Sequence, residues 1–218
     1  MILRMLEEKM PVDEIIFCDT GKDFPDMIKH IKKVNDYIKE KYNKEITMLK
    51  SENSFDYYMF EHIKKRGKTR GKGYGWATMR CRWCTTLLKN QIIDNYLKKY
   101  KDEGYIEYIG IAYDEPKRIK EKCYPLVSWK MTEADCLQFC YDRGFDWNGL
   151  YEHFDRLSCW CCPLKNLKEL RVLYEYYPDL WQKLKDMDKR AYNQFRVDYS
   201  VEELEKKFEA EIGKITNK

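Results

Sequence analysis

The sequence predicts an α/β fold, a parallel sheet with flanking helices, followed by a helical C-terminal part. Three observations carry this. Short apolar runs alternate with long amphipathic stretches up to about residue 130. Beyond that point one helical pattern follows another without a strand between them. The third is composition: of 218 residues, 44% are hydrophobic and 36% charged, with a net charge of only +4, which excludes a disordered chain.

Residues 2–10 fit a short helix with Ile2, Leu3, Leu6 and Met10 on one side. Val12 to Cys18 is an apolar run that Asp19-Thr20-Gly21 closes, the pattern of a buried strand and its turn. Pro25 then opens a long helix with Met27, Ile28, Ile31, Val34, Tyr37 and Ile38 on its apolar face. Ile46 to Leu49 is a second strand, and Ser54 is placed to cap a helix over 55–65. A third helix follows Cys84, and Tyr105 to Tyr113 has the strongest strand composition in the chain. Later, Thr132 with Asp135 and Ser200 with Glu203 read as capping pairs. Gly144 reads as a helix stop, Pro178 as a helix start, and Val201, Leu204, Phe208 and Ile212 as the stripe of the last helix. The expected division is 1–130, an α/β nucleotide-binding domain, and 131–218, a helical region.

The N-terminal residues carry Arg4, Glu7, Glu8 and Lys9, and no apolar run approaches the roughly 20 residues of a membrane span. A cytoplasmic location is therefore expected, where thiols stay reduced. Nine cysteines cannot all pair, and five of them fall in two clusters. Cys81-Arg82-Trp83-Cys84 is one CxxC, and Cys159-Trp160-Cys161-Cys162 is another with an extra thiol inside it. Two such frames supply four thiolates, Cys81, Cys84, Cys159 and Cys162, to one tetrahedral centre, which suits either Zn²⁺ or an iron–sulfur cluster. Nearby Arg80, Arg82 and Lys89 are expected to lower the thiol pKa values. The competing readings are buried cysteines packed as small apolar groups, or a single redox pair. Cys18, Cys136 and Cys140 lie on apolar faces and read as packing residues.

Ligands of a parallel sheet collect beyond the carboxyl ends of its strands. Asp19-Thr20-Gly21 ends the first strand, and Gly110 to Glu115 ends the run at Tyr105–Tyr113. An acidic side chain there accepts a ribose hydroxyl or holds Mg²⁺, although ordinary turn chemistry explains the same residues. Residues 64–76, KKRGKTRGKGYGW, hold six positive charges and four glycines. This loop reads as an anion-gripping lid, as a nucleic-acid contact, or as a solvated loop.

In order along the chain, Asp19-Thr20-Gly21 with Phe24-Pro25-Asp26 resembles the DTG-x-x-FPE segment of the phosphoadenosine phosphosulfate (PAPS) reductase family. Gly110-Ile111 with Asp114-Glu115 and Arg118 is similar to that family's GIR-x-DES-x-x-R segment. Pro125-Leu126, Trp129, Tyr151 and the CWCCPL run from Cys159 to Leu164 resemble its PL-x-x-W, Y and GC-x-x-CPL tail. The resemblance implies an adenine-nucleotide α-hydrolase-like fold that binds an adenine nucleotide or nucleotide sulfate. It implies that Asp19, Thr20 and Gly21 line the nucleotide, that Gly110 approaches the adenine, and that Glu115 and Arg118 face the ribose and phosphate. Lys68, Arg70 and Lys72 would close over the anion. Comparison with cluster-bearing members puts Cys81, Cys84, Cys159 and Cys162 around a [4Fe–4S] cluster, with zinc as the alternative.

Three features depart from the family pattern. The Ser-Gly-Gly-x-Asp-Ser phosphate loop is not found, because Met1 falls inside what reads as the first helix, so weak nucleotide binding is expected. Ala112 stands where the family has arginine, and no cysteine follows Cys162 to act as the usual nucleophile. The chemistry expected is sulfur transfer or sulfonucleotide reduction, fed by an electron donor that the sequence does not name. A nucleic-acid-binding or sulfur-modification module and a catalytically idle family member are the other readings. An edge left by a missing strand predicts a homo-oligomer.

Overall fold

The computed structural model describes residues 1–216. In chain order it contains α1 (Ile2–Glu7), β1 (Ile15–Asp19), α2 (Pro25–Tyr42), β2 (Ile46–Lys50) and a wide helical turn at Tyr57–Glu61. A helical run then joins α3 (Trp83–Thr85), a second wide turn (Thr86–Asn90) and α4 (Gln91–Leu97). The remaining helices are α5 (Pro125–Ser128), α6 (Glu133–Tyr141), α7 (Leu150–His153), α8 (Leu167–Tyr176), α9 (Pro178–Arg190) and α10 (Val201–Thr216). The chain is α/β, about half helical, and β1 and β2 form a two-stranded parallel sheet with α2 as the crossover. No helix among the described residues is long and apolar enough to cross a membrane.

The helix boundaries follow local chemistry. Thr132 and Asp135 form a reciprocal capping box at α6, and Gly144 stops the chain after it at φ +75°. The Ser200 hydroxyl accepts from the Glu203 amide at 3.2 Å, while the Glu203 carboxylate accepts from the Ser200 amide at 2.7 Å. Pro178 occupies the first turn of α9. The first helix stops at Glu7, short of the expected residue 10, because Lys9 turns left-handed and the Met10 amide folds back on the Met5 carbonyl. Ser54 does cap, accepting from the Tyr57 amide at 3.0 Å, but the helix ends at Glu61 and His62 is extended.

The strand expected over Tyr105–Tyr113 does not form. Its only ladder contact is an isolated parallel bridge between Tyr108 and Cys123, and Tyr105 and Ile106 are exposed. A β-prone run becomes a strand only where a neighbour supplies a row of partners, and here the Ile109 amide meets the Cys123 carbonyl and the Tyr113 amide the Met131 carbonyl, separate contacts rather than a row.

The chain divides into two compact units, each built from several segments. The first comprises 1–17, 25–49 and 93–149. Its core gathers Met5, Leu6, Val12, Ile15, Ile38 and Phe145. His30 stacks on Trp147 at 4.4 Å, and burial pushes its pKa down to about 4, so it is neutral at pH 7. Glu14 is a polar hub: its carboxylate accepts from the hydroxyls of Tyr96, Tyr100 and Thr47 and from the Lys99 ammonium. The Lys99 ammonium first, and then the Tyr100 and Tyr96 hydroxyls, hold its pKa at about 2.

The second unit comprises 18–24, 50–92 and 150–218. In it α8, α9 and α10 pack together through Leu170, Leu173, Leu184, Leu204 and Phe208, all fully buried. Phe24 meets Phe154 at 4.9 Å and Tyr177 at 5.5 Å, and Trp76 meets Phe195 edge-on. Each such buried ring contributes roughly 1.5–3 kcal/mol. Lys22 joins the unit's three segments. Its ammonium lies 2.9 and 3.0 Å from the two oxygens of Asp56 and over the rings of Phe55 and Trp160, and its carbonyl accepts from the Trp160 amide at 3.0 Å.

Two stability predictions follow from these hubs. Glu14→Gln lowers stability at pH 7 by about 1–2 kcal/mol, the scale of hydrogen bonds to a charged group. Because the folded pKa lies below the ordinary 4.5, that contribution is complete above pH 4.5 and disappears as pH falls toward 2. Urea titrations of wild type and E14Q should therefore converge across that window. Lys22→Met strands the inner oxygen of Asp56 and costs about 2 kcal/mol, less than a fully buried pair because Asp56 is half exposed. Its urea midpoint at pH 7 measures this.

Candidate functional site

β1 delivers Asp19 to a turn that closes on itself. The Gly21 amide donates to Asp19 Oδ1 at 2.7 Å, Lys50 Nζ lies 3.3 Å from Asp19 Oδ2, and Gly21 sits at φ +72°. Thr20, buried, donates through its hydroxyl to Asp23 at 2.9 Å and touches Cys159 Sγ at 3.6 Å. The turn residues and the second cysteine cluster, 139 positions apart, therefore meet. Beside them Asp19, Gly21, Lys50, Asn53 and Asp56 line a recess of about 90 Å³. That is room for roughly three waters, enough for a hydroxyl or a phosphate oxygen but not for a base.

The cysteine run is wound tightly. The Cys162 amide donates to the Cys159 carbonyl and the Lys165 amide to the Cys162 carbonyl, while Arg196 clamps the carbonyls of Pro163 and Lys165. Burial pushes the Cys159 thiol up to about 11, with Asp23 adding to the rise, and lifts the wholly buried Cys161 well above its ordinary value. Cys84 is also raised, first by burial and then by Cys162. Cys84, Cys159, Cys161 and Cys162 thus share one electrostatic neighbourhood. Cys81 is not among the groups that act on these thiols; it is exposed, on a turn in which its amide donates to Thr78. The lowering expected from Arg80, Arg82 and Lys89 does not prevail. Arg82 acts on Cys84 and Lys89 on Cys159 only as lesser influences, because desolvation of the thiolate is the larger effect. As placed, no three His, Cys, Asp or Glu side chains among the described residues form a ready metal-ligand group.

Lys165 is a residue the sequence did not single out. It is 3% exposed, and its ammonium has no hydrogen-bond partner. It lies over Phe154 at 4.8 Å and Phe24 at 5.4 Å; burial lowers its pKa, and electrostatically it feels Glu169 first and then Cys162, Cys159 and Cys161. Three residues after Cys162, it reads in the sequence as one more surface lysine. Lys22 was missed for the same reason, lying between two motif segments.

Gly110, Glu115 and Arg118 belong to the first unit, where Arg118 forks onto the Glu115 carboxylate at 2.7 and 2.9 Å. Lys68, Arg70 and Lys72 belong to the second unit, on a hairpin over 64–72. Among the described residues no hydrogen bond or ion pair joins that hairpin to the Asp19–Gly21 turn.

No family model matches this chain, and no solved structure does. Two proteins of Methanocaldococcus jannaschii are similar to it, both described as uncharacterized. MJ0973 is 30% identical over 190 residues, 81% of this chain and 42% of that protein. MJ0066 is 24% identical over 185 residues, 78% of this chain and 35% of that protein. The chain thus spans less than half the length of either relative.

Proposed function

We propose that this chain is a PAPS reductase-like protein of the adenine-nucleotide α-hydrolase-like fold. In this reading it binds an adenine nucleotide or nucleotide sulfate beside a four-cysteine metal centre and serves sulfur transfer or sulfonucleotide reduction. The observation that carries the reading is the contact of Thr20, in the nucleotide-type turn, with Cys159. The recess beside Asp19 accommodates a hydroxyl or phosphate oxygen, and the base lies outside it.

Cys81, Cys84, Cys159 and Cys162 hold the metal, a [4Fe–4S] cluster in preference to zinc. The donor set fits on charge. Four thiolates around either centre leave a net negative site, and Lys165 is a desolvated ammonium that lacks a hydrogen-bond partner beside three of the thiols. The thiols must draw closer than they stand, and metal binding releases their protons. A cluster supplies one-electron transfer when bound. Cys161 is poorly suited to attack, being 1% exposed with its thiol pKa raised.

Anaerobic purification tests the reading. Iron and sulfide with a broad visible absorption are expected, together with saturable heat on titration with PAPS or ATP. Zinc in place of iron changes the metal, and absence of both metal and nucleotide binding ends the proposal. In the same preparation, Cys81 should alkylate far more slowly than Cys123, which is also exposed, until chelator is added. Lys165→Met is expected to shift the cluster potential negative by on the order of 50–100 mV, equivalent to about 1–2 kcal/mol for one electron. Spectroelectrochemistry reads that shift without reference to turnover.

A further inference from the structure

Six cations crowd residues 64–72, where the backbone is hydrogen-bonded to itself. The Lys64 amide donates to the Lys72 carbonyl at 3.1 Å and the Gly71 amide to the Lys64 carbonyl at 3.0 Å, with Gly67 and Gly71 both at φ +84°. Just beyond, the Tyr74 and Gly75 amides donate to the carbonyls of Tyr58 and Met59, and a Cβ on Gly73 would lie 2.3 Å from the Met59 carbonyl oxygen. The base is anchored: Lys64 and Lys72 lie over the Tyr192 ring at 5.0 and 5.1 Å.

The tip is different. Lys65, Arg66, Lys68 and Arg70 are exposed, and no ion pair or side-chain hydrogen bond engages them among the described residues. Five arginines elsewhere pair with acids: Arg4 with Glu8, Arg118 with Glu115, Arg143 with Glu7, Arg171 with Glu175 and Arg196 with Asp198. Beside the hairpin, His62, Tyr74 and Trp83 form a ring stack, with centroids 5.3 and 5.4 Å apart and planes within 15° and 27°. His62 and Tyr74 are half-buried. Two more exposed cations, Arg80 and Arg82, precede Trp83.

We infer that this hairpin and its aromatic stack form a binding surface for single-stranded nucleic acid. Close cations without acidic partners repel one another, and a polyphosphate relieves that repulsion by releasing counterions. Tyr74 is held between His62 and the buried Trp83, so the half-buried His62 at the outer end of the stack is the ring left for a base, which a single strand presents and a duplex hides. A lipid surface fits less well, because residues 65–72 carry no apolar side chain to insert. The tip cations Lys65, Arg66, Lys68 and Arg70 include none of the proposed metal ligands.

Fluorescence anisotropy with labelled oligo-dT, oligo-rU and a duplex of equal length tests the inference on the full chain. Four neutralised phosphates predict a log–log salt slope of about −3, or roughly fifty-fold weaker binding between about 50 and 200 mM salt. Replacing Lys65, Arg66, Lys68 and Arg70 by Ser should remove most of that slope and at least about tenfold of affinity at low salt. A control replacing the exposed Lys32, Lys101, Lys120 and Lys183 by Ser removes the same charge and should bind as wild type. Circular dichroism verifies that both variants fold. Binding by either single strand supports the inference, and the two arms distinguish DNA from RNA. It is overturned by no binding at low salt, by equal losses in the two variants, by duplex binding as tight as single-strand binding, or by binding only to anionic vesicles.

Discussion

The second unit depends on the burial of Lys22. A lysine at 9% exposure has given up most of its hydration, so its surroundings must return that energy. Asp56 does so with charge, Phe55 and Trp160 do so with ring faces, and the three come from different segments of the chain. The consequence reaches the cysteines. With the Lys22 carbonyl holding the Trp160 amide, the preceding residue, Cys159, is brought to the Thr20 hydroxyl. The turn after β1 and the cysteine run are therefore one structural object.

That object is electrostatically unbalanced. Its Cys159 and Cys161 thiols are raised by burial and so are neutral at pH 7, while Lys22 and Lys165 bring positive charge into the same desolvated region. Asp56 compensates Lys22, but Lys165 has only aromatic faces beneath it and Glu169 and the thiols at longer range. A buried ammonium without a hydrogen bond is expensive, and apolar packing would serve a purely structural role better. The imbalance is of the sign that thiolates around a metal would correct.

What was legible in the sequence was whatever one turn of chain decides. Thr132 with Asp135, Ser200 with Glu203, Pro178 and Gly144 each act on neighbours within a few residues, and each behaves as its local chemistry requires. The β1–α2–β2 crossover was legible because α2 has a long apolar period bounded by Pro25. Tyr105–Tyr113 misled because a strand is a property of a pair, and composition says nothing of whether a partner arrives. Of the candidate site, the cysteine clusters and the Asp19 turn were visible as motifs. Lys22 and Lys165 were not, since a buried lysine and a surface lysine differ only in what distant segments do around them.

The net charge of +4 conceals two cationic features of opposite physical kind. Around Lys22 and Lys165 the charges are desolvated and little affected by salt. At the hairpin the charges are exposed, mutually repulsive and screened beyond about 8 Å at physiological ionic strength. The first kind suits an anionic centre held permanently by covalent ligands. The second suits a long, mobile polyanion that arrives by diffusion and is released as salt rises. Because salt moves only the second, the two can be separated in one protein preparation without altering a residue.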